Sequence, residues 1–275
     1  MSYRPAWVPD EIDVELPSVA RMYDYLLGGL YNFAADRALA QEAMRVFPDA
    51  PHVVRANRAF LRRAVRLLCD LGVDQFLDLG SGIPTSGNVH EIAHAKNPRA
   101  RTVYVDSDPV AVTHSAAMLA EVPHATVLRA DLRDPDDILS SPALTGHLDL
   151  GRPVAVLLVS VLPFIPDADG PARIVAAYRD ATVPGSHLVI THGTNDYQPE
   201  TVGKVEGVYS RTTQPGTFRS SDQIRALMPG YDLLPPGLTD AILWRPEPRG
   251  PNTDPDPLGG DVRRYSLLGA VGRRD

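Results

Sequence analysis

A single cysteine, Cys69, is all the 275-residue chain contains, so no disulfide framework and no cysteine-rich metal knuckle can be built from it. Cys69 lies in "RLLCDLG" and reads as a buried structural thiol. Lysine is also scarce: among 27 basic residues only Lys96 and Lys204 are lysines, and the formal net charge is −7. That balance argues against a non-specific grip on nucleic acid, which needs a clustered basic footprint. The opening "MSYRPAWVPDEIDVELP" lacks a basic segment followed by an apolar one, so no secretory signal is read there and a cytoplasmic location is expected. Long hydrophobic runs are missing as well. The longest, Val154 to Leu162, is about half a membrane span and lies between Pro153 and Pro163, which makes it a buried strand and removes a membrane partner.

What is present is enough apolar sequence, 44%, for one sizeable core. Three helical patterns come first: "SVARMYDYLL", "ADRALAQEAMRVF" and "HVVRANRAFLRRAVRLLCDL". The first has a stripe at Val19, Met22, Tyr23 and Leu26 and stops at Gly28 and Gly29, where a left-handed cap is cheap. From Gln75 onward, short valine- and leucine-rich runs alternate with helical stretches through "SHLVITH". Such runs, without polar alternation, belong to a parallel sheet covered on both faces, so the fold class is α/β, doubly wound and Rossmann-like. Toward the end come a helix in "SDQIRALM" started by Ser221 or Asp222, two strand candidates in "AILWRP" and "RRYSLLGAVG", and a loop in "PEPRGPNTDPDPLGG".

The chemistry concentrates in "QFLDLGSGIPT", where an apolar strand runs into a glycine turn and then a helix. Glycines let the backbone approach a ligand, and a following helix offers free N–H groups. Gly80 and Gly82 fit the start of a dinucleotide fingerprint, but its last glycine would fall at Thr85. Asp106 ends the next strand, 24 residues after Gly82, where a carboxylate accepts from both ribose hydroxyls; otherwise Asp106 and Asp108 simply start a helix with Pro109. Asp131 reaches the same edge, able to accept from an adenine amino group. Asp78, just before the glycines, would repel a pyrophosphate and suits the ammonium of a methionine moiety, so S-adenosyl-L-methionine fits better than NAD.

Ten strings in order, among them "VARMYDYLLGG", "RANRAFLRRAVR", "QFLDLGSGIPT", "NVHEIA", "VYVDSDP", "ADLRDP", "VLPFIPD" and "YSLLGAVGR", resemble the S-adenosylmethionine-dependent methyltransferases of actinobacteria long grouped as a domain of unknown function. The resemblance runs from about Pro17 to Arg273. It implies a class I methyltransferase fold: a seven-stranded, mostly parallel sheet with an antiparallel last strand, residues 73–275, preceded by a helical lid at 1–72. It also implies that Asp78, Gly80, Ser81 and Gly82 hold the methionine part, Asp106 with Ser107 the ribose, and Asp131 with Leu132 the adenine, with Ser160 approaching from the fourth strand. Tyr23, Tyr25 and Tyr31, with Gly28 and Gly29, look like part of the lid. Relatives usually carry a lysine and an aspartate where this chain has Leu30 and Tyr31.

"NVHEIAH" sets His90, Glu91 and His94 in the H-E-x-x-H order of zinc peptidases. The resemblance covers "NVHEIA" without needing a histidine at 94, and no third ligand can be nominated, so no metal is expected. Methyl transfer from an activated donor needs orientation and a dry pocket, and a base only when the acceptor is protonated. His192 and Tyr31 are the catalytic candidates nearest the expected pocket mouth. The fourth strand lacks the signature of nucleic-acid amino-methylating enzymes, which favours a small-molecule acceptor, with a protein acceptor second; the oligomeric state is left open. A non-catalytic S-adenosylmethionine-binding protein and an NAD(P)-dependent oxidoreductase are the alternatives.

Overall fold

Strands this rich in valine and leucine have two faces to bury, and the central strands bury both. The computed structural model describes Val8 and residues 12–85, 87–247 and 257–275; part of the loop expected at 246–260 lies outside the described residues. Three helices come first, α1 (Val19–Leu27), α2 (Ala34–Val46) and α3 (Ala50–Asp70). Strands β1 (Gln75–Leu79), β2 (Arg101–Asp106), β3 (Ala125–Arg129), β4 (Ala155–Val159) and β5 (His187–Gly193) then alternate with α4 (Val89–His94), α5 (Pro109–Leu119), α6 (Pro135–Ser140), α7 (Pro142–Thr145) and α8 (Pro171–Asp180). The chain ends through α9 (Pro199–Tyr209), α10 (Ser221–Ala226), β6 (Asp232–Leu233), β7 (Thr239–Asp240) and β8 (Leu267–Arg273). Among the described residues no helix is long and apolar enough to cross a membrane.

The sheet order is β3-β2-β1-β4-β5-β8-β6, with the two-residue β7 paired beside β8. Strands β1 to β5 pair in parallel, and β8 is antiparallel to β5, β6 and β7. The seven-strand path with an antiparallel last strand is therefore present, with one short strand added. Its sixth member differs from the sequence expectation: it is Asp232–Leu233, and "AILWRP" is a turn in which the Leu243 and Trp244 N–H groups both donate to the Asp240 carbonyl. The turn swings Trp244 into the core, fully buried at 5.1 Å from the Phe60 ring. The α10 cap also shifts by one, to Ser220, whose hydroxyl accepts from Gln223 N–H.

Alternation along β1 decides what each residue meets. Leu77 and Leu79 join Val103, Val105, Leu158 and Ile190 on one face. Phe76 joins Tyr104, Leu157 and Val189 on the other, together with Phe60, Leu61, Ala64, Val65 and Leu68 of α3. Those α3 residues recur at helical spacing among arginines, so one stripe packs on the sheet. Cys69, next to that stripe, is half-buried rather than fully buried, and burial pushes its thiol up to about 11. Asp78 shares the parity of Phe76 and so faces α3. Because β1 and β4 are neighbours while the order runs outward in both directions from them, the carboxyl ends of β1, β2 and β4 border a crevice at the switch point, where open α/β sheets bind ligands.

Candidate active site

The turn after β1 depends on two glycines for different reasons. Gly80 and Gly82 have φ of 70° and 68°, a conformation most side chains resist. A Cβ on Gly80 would also overlap the Val161 side chain, whereas one on Gly82 would meet nothing within 4 Å. Gly80→Ala is therefore expected to cost about 2 kcal/mol or more in chemical denaturation, and Gly82→Ala about 1 kcal/mol. Equal costs at the two positions would contradict this account of the turn.

The turn is fastened to β2. Gly80 N–H and Ser81 N–H donate to the Val105 carbonyl at 2.8 and 3.1 Å. Gly82 N–H donates to Asp106 Oδ2 at 2.7 Å, and Asp108 N–H to Asp106 Oδ1 at 2.8 Å. Burial raises Asp106 to about 6 even so, although those amides favour its charged form. Asp78 has no such help. Burial chiefly, with the nearby Asp106 charge, raises it to about 7, Arg58 opposes the shift, and no hydrogen bond reaches its carboxylate among the described residues. Asp131, after β3, lies below the usual carboxylate range because Arg133 bonds both its oxygens. Asp108 caps α5 by accepting from Val110 N–H, so the helix-start reading holds for it, while Asp106 ties the turn to the strand.

One cavity of about 290 Å³ brings these groups together: Asp78, Gly80, Ser81, Gly82, Asp106, Ser107, Asp131, Leu132, Ser160 and Tyr23 all line it. Ser160, with φ of 60°, turns away from the end of β4. Tyr23 arrives on α1, its hydroxyl accepting from Asn57 Nδ2 at 2.9 Å and donating to the Val54 carbonyl at 3.2 Å.

Other residues correct the sequence reading. His192 does not line the cavity: it is fully buried, its Nδ1 bonded to the Gly193 carbonyl and its Nε2 to Arg219 Nη1 at 2.9 Å. Burial pushes it down to about 3, so it is neutral at pH 7, and it serves instead to seat Arg219. Arg219 then bonds the Leu162 and Ile165 carbonyls and Asp167, fixing the 162–167 loop that walls the cavity. Tyr31 also lies outside the lining; its ring stacks on His114 with centroids 3.7 Å apart. His90 Nδ1 pairs with the Tyr104 hydroxyl at 2.7 Å, His94 Nε2 donates to the Ala100 carbonyl at 2.9 Å, and Glu91 caps α4 by accepting from Gly87 and Asn88 N–H. Each member of the H-E-x-x-H string is thus occupied with its own helix and strand.

The sequence reading missed Arg58, Asn57 and the whole of α9. Arg58 donates to the Gly87 carbonyl at 2.8 Å, and its Nε is buried without a partner among the described residues. Asn57 links Tyr23 to β5 by accepting from Thr191 Oγ1 at 2.6 Å. Helix α9 contributes Thr201, Val202, Val205 and Tyr209, a single helical face, to the cavity. Its signal was the valine spacing after Pro199, masked by Gly203 and Gly207, each worth about 1 kcal/mol against a helix.

The profile of the family described as S-adenosyl methyltransferase matches residues 5–274. The chain belongs to that family. S-adenosylmethionine is therefore the cofactor of this methyltransferase and methyl transfer its reaction, which decides against the nicotinamide alternative. Among solved structures, a candidate methyltransferase from Thermobifida fusca is 39% identical with a TM-score of 0.89, over 98% of this chain and 100% of that one. A DUF574 family protein from Streptomyces avermitilis is 35% identical with a TM-score of 0.90, over 96% and 99% of the two chains. No curated protein matches the chain. The methyltransferase's cavity fits its cofactor on chemical grounds. Among the described residues it presents a buried carboxylate without a donor, Asp78, a buried hydroxyl without a partner, Ser81 Oγ, and open space over Gly82.

Proposed function

We propose that this methyltransferase alkylates a small molecule, with Asp78, Gly80, Ser81 and Gly82 holding the methionine part of the cofactor, Asp106 and Ser107 the ribose, and Asp131 and Leu132 the adenine. Ser160 and Tyr23 complete the donor site, and residues 1–72 act as a helical lid over it. The reading places the enzyme in the cytoplasm, with no nucleic acid and no membrane as partner. The observation that carries it is the convergence of all these residues on one cavity under α1, α2 and α3. A concave cavity of about 290 Å³ suits a small acceptor better than a folded protein surface.

S-adenosylmethionine, when bound, supplies a methyl group already activated on a sulfonium. The chain is left to orient and to exclude water. Asp78 supplies the counter-charge for an ammonium, and Asp106 keeps lone pairs for hydroxyls beyond the two amides it accepts from. Among the described lining residues there is no histidine, glutamate, lysine or cysteine, so no side chain with the chemistry of a neutral-pH base faces the reacting space apart from the carboxylates at the ends of β1, β2 and β3. The test is release of S-adenosylhomocysteine from a panel of small acceptors, with calorimetric titration of the cofactor beside it. Asp106→Ala is expected to weaken S-adenosylmethionine binding about 10- to 100-fold, the scale of hydrogen bonds to a charged group. Unchanged affinity in that variant would sink the assignment.

A further inference from the structure

The cavity has two chemically different halves. Its carboxylates, Asp78, Asp106, Asp108 and Asp131, all lie on or beside the ends of β1, β2 and β3. The opposite wall, built by α1, α2, α3, α9 and the 163–166 loop, carries a single charged side chain, Arg58, already bonded to the Gly87 carbonyl. Arg133, the other lining cation, is held by Asp131 and Asp169. A cationic acceptor would find no counter-charge on that wall, and the one cation there, Arg58, lies beside Asp78, Ser81 and Gly82 at the donor end, where its charge acts on Asp78. Burial of an unpaired charge is costly, so the wall selects a neutral molecule.

Aromatic side chains are concentrated there. Three of the chain's six phenylalanines, Phe47, Phe164 and Phe218, line this one cavity. Phe164 and Tyr209 form a tilted pair with ring centroids 5.4 Å apart, an arrangement that offers a planar guest both a ring face and a ring edge. The two tyrosines of the helical walls differ in what their hydroxyls have left to give. That of Tyr23 is spent on Val54 and Asn57. That of Tyr209 has no hydrogen bond among the described residues, and burial pushes it up to about 12, so it stays a donor at neutral pH.

We propose that the methyl acceptor is an uncharged aromatic molecule seated against Phe164 and Tyr209, with the Tyr209 hydroxyl donating a hydrogen bond to it. This rests on the methyltransferase reading of the same cavity and adds the acceptor's class to it. The test uses three probes that share one ring system: 2-naphthol, which is neutral at pH 7.5, the 2-naphthoate anion and the 2-naphthylmethylammonium cation. Each is titrated by fluorescence into the full-length protein saturated with S-adenosylhomocysteine, after that ligand's own affinity has been measured on the same sample.

Naphthol is expected to bind at least tenfold more tightly than either charged probe. Tyr209→Phe is expected to weaken naphthol several-fold, the effect of one hydrogen bond, while leaving the affinity for S-adenosylhomocysteine within twofold. A preference below tenfold, or no saturable naphthol binding by protein that holds S-adenosylhomocysteine, overturns the acceptor class and leaves the methyltransferase assignment standing. Unaltered naphthol affinity in Tyr209→Phe overturns the role given to Tyr209. Failure to bind S-adenosylhomocysteine at all overturns both readings.

Discussion

Below pH 7 the affinity for S-adenosylmethionine is expected to fall about tenfold for each pH unit, and above pH 7 to level off. The reason is Asp78, which burial holds at about 7 in the free protein and which no hydrogen bond stabilises in its charged form. An ammonium group placed against it favours the carboxylate. Binding therefore requires the ionised form, and under acid conditions it must first release a proton. Asp106, at about 6, adds a second loss at lower pH, because a protonated carboxyl accepts hydrogen bonds less well than a carboxylate. Asp78→Asn keeps the shape and removes the charge. It is expected to bind the cofactor at least about 30-fold more weakly at pH 8, the scale of a truncated buried charge pair, with little further change down to pH 6.5. Calorimetry in buffers of different ionisation enthalpy reads the proton directly. A flat wild-type profile between pH 5.5 and 8 would show that Asp78 does not meet a cation.

Arg21→Met is expected to destabilise the fold by about 3–5 kcal/mol, the cost of stranding buried carboxylates. Arg21 is only 4% exposed. Its Nε donates to Asp36 Oδ2 at 2.9 Å, its Nη1 to Asp108 Oδ2 at 3.2 Å and its Nη2 to the Leu16 carbonyl at 2.6 Å. Asp36, fully buried, is raised by burial and held down mainly by the Arg21 charge. Methionine keeps an apolar stem of similar length and removes the cation, together with the guanidinium that lies over the Phe33 ring. For a chain of this size the loss corresponds to a Tm lower by roughly 10 °C in a thermal scan followed by circular dichroism. Cofactor affinity is expected to fall as well, since Asp108, which Ser18 Oγ also bonds, presents the N–H that holds Asp106. A Tm within 2 °C of wild type would mean that the three-way pairing adds nothing to stability.

The parts of the site legible in the sequence are those written in backbone constraints and in spacing. A strand that meets Gly80 and Gly82, and a carboxylate at Asp106, leave a trace because few residues can adopt a positive φ and because a βαβ unit has a fixed length. Arg58 left none, being one arginine in a helix full of them. Helix α9 was hidden because its glycines and valines are poor helix formers; packing of Val208 against Met22, Leu39, Ala40 and Ala43 overrides that preference. His192 misled because a histidine after a strand end resembles a catalytic one, and its partner Arg219 lies 27 residues further on. The sixth strand was misplaced because its two-residue pairing is too short to show a period, while Ala241, Ile242 and Trp244 are apolar for the sake of the core.

The two glycines and poor intrinsic helicity of α9 also bear on how this enzyme can change. The proposed donor side is set by the main-chain dihedrals of Gly80 and Gly82 and by the amides that Asp106 accepts from, so a replacement that alters that turn disturbs the sheet edge. The facing surface of α9 is set by side chains alone, at Thr201, Val202, Val205 and Tyr209. Altering them reshapes the room left for the guest without touching the turn at Gly80 or the tip of β2. Under the proposed assignment of the cavity, choice of acceptor and use of the methyl donor are thus separable traits in this protein.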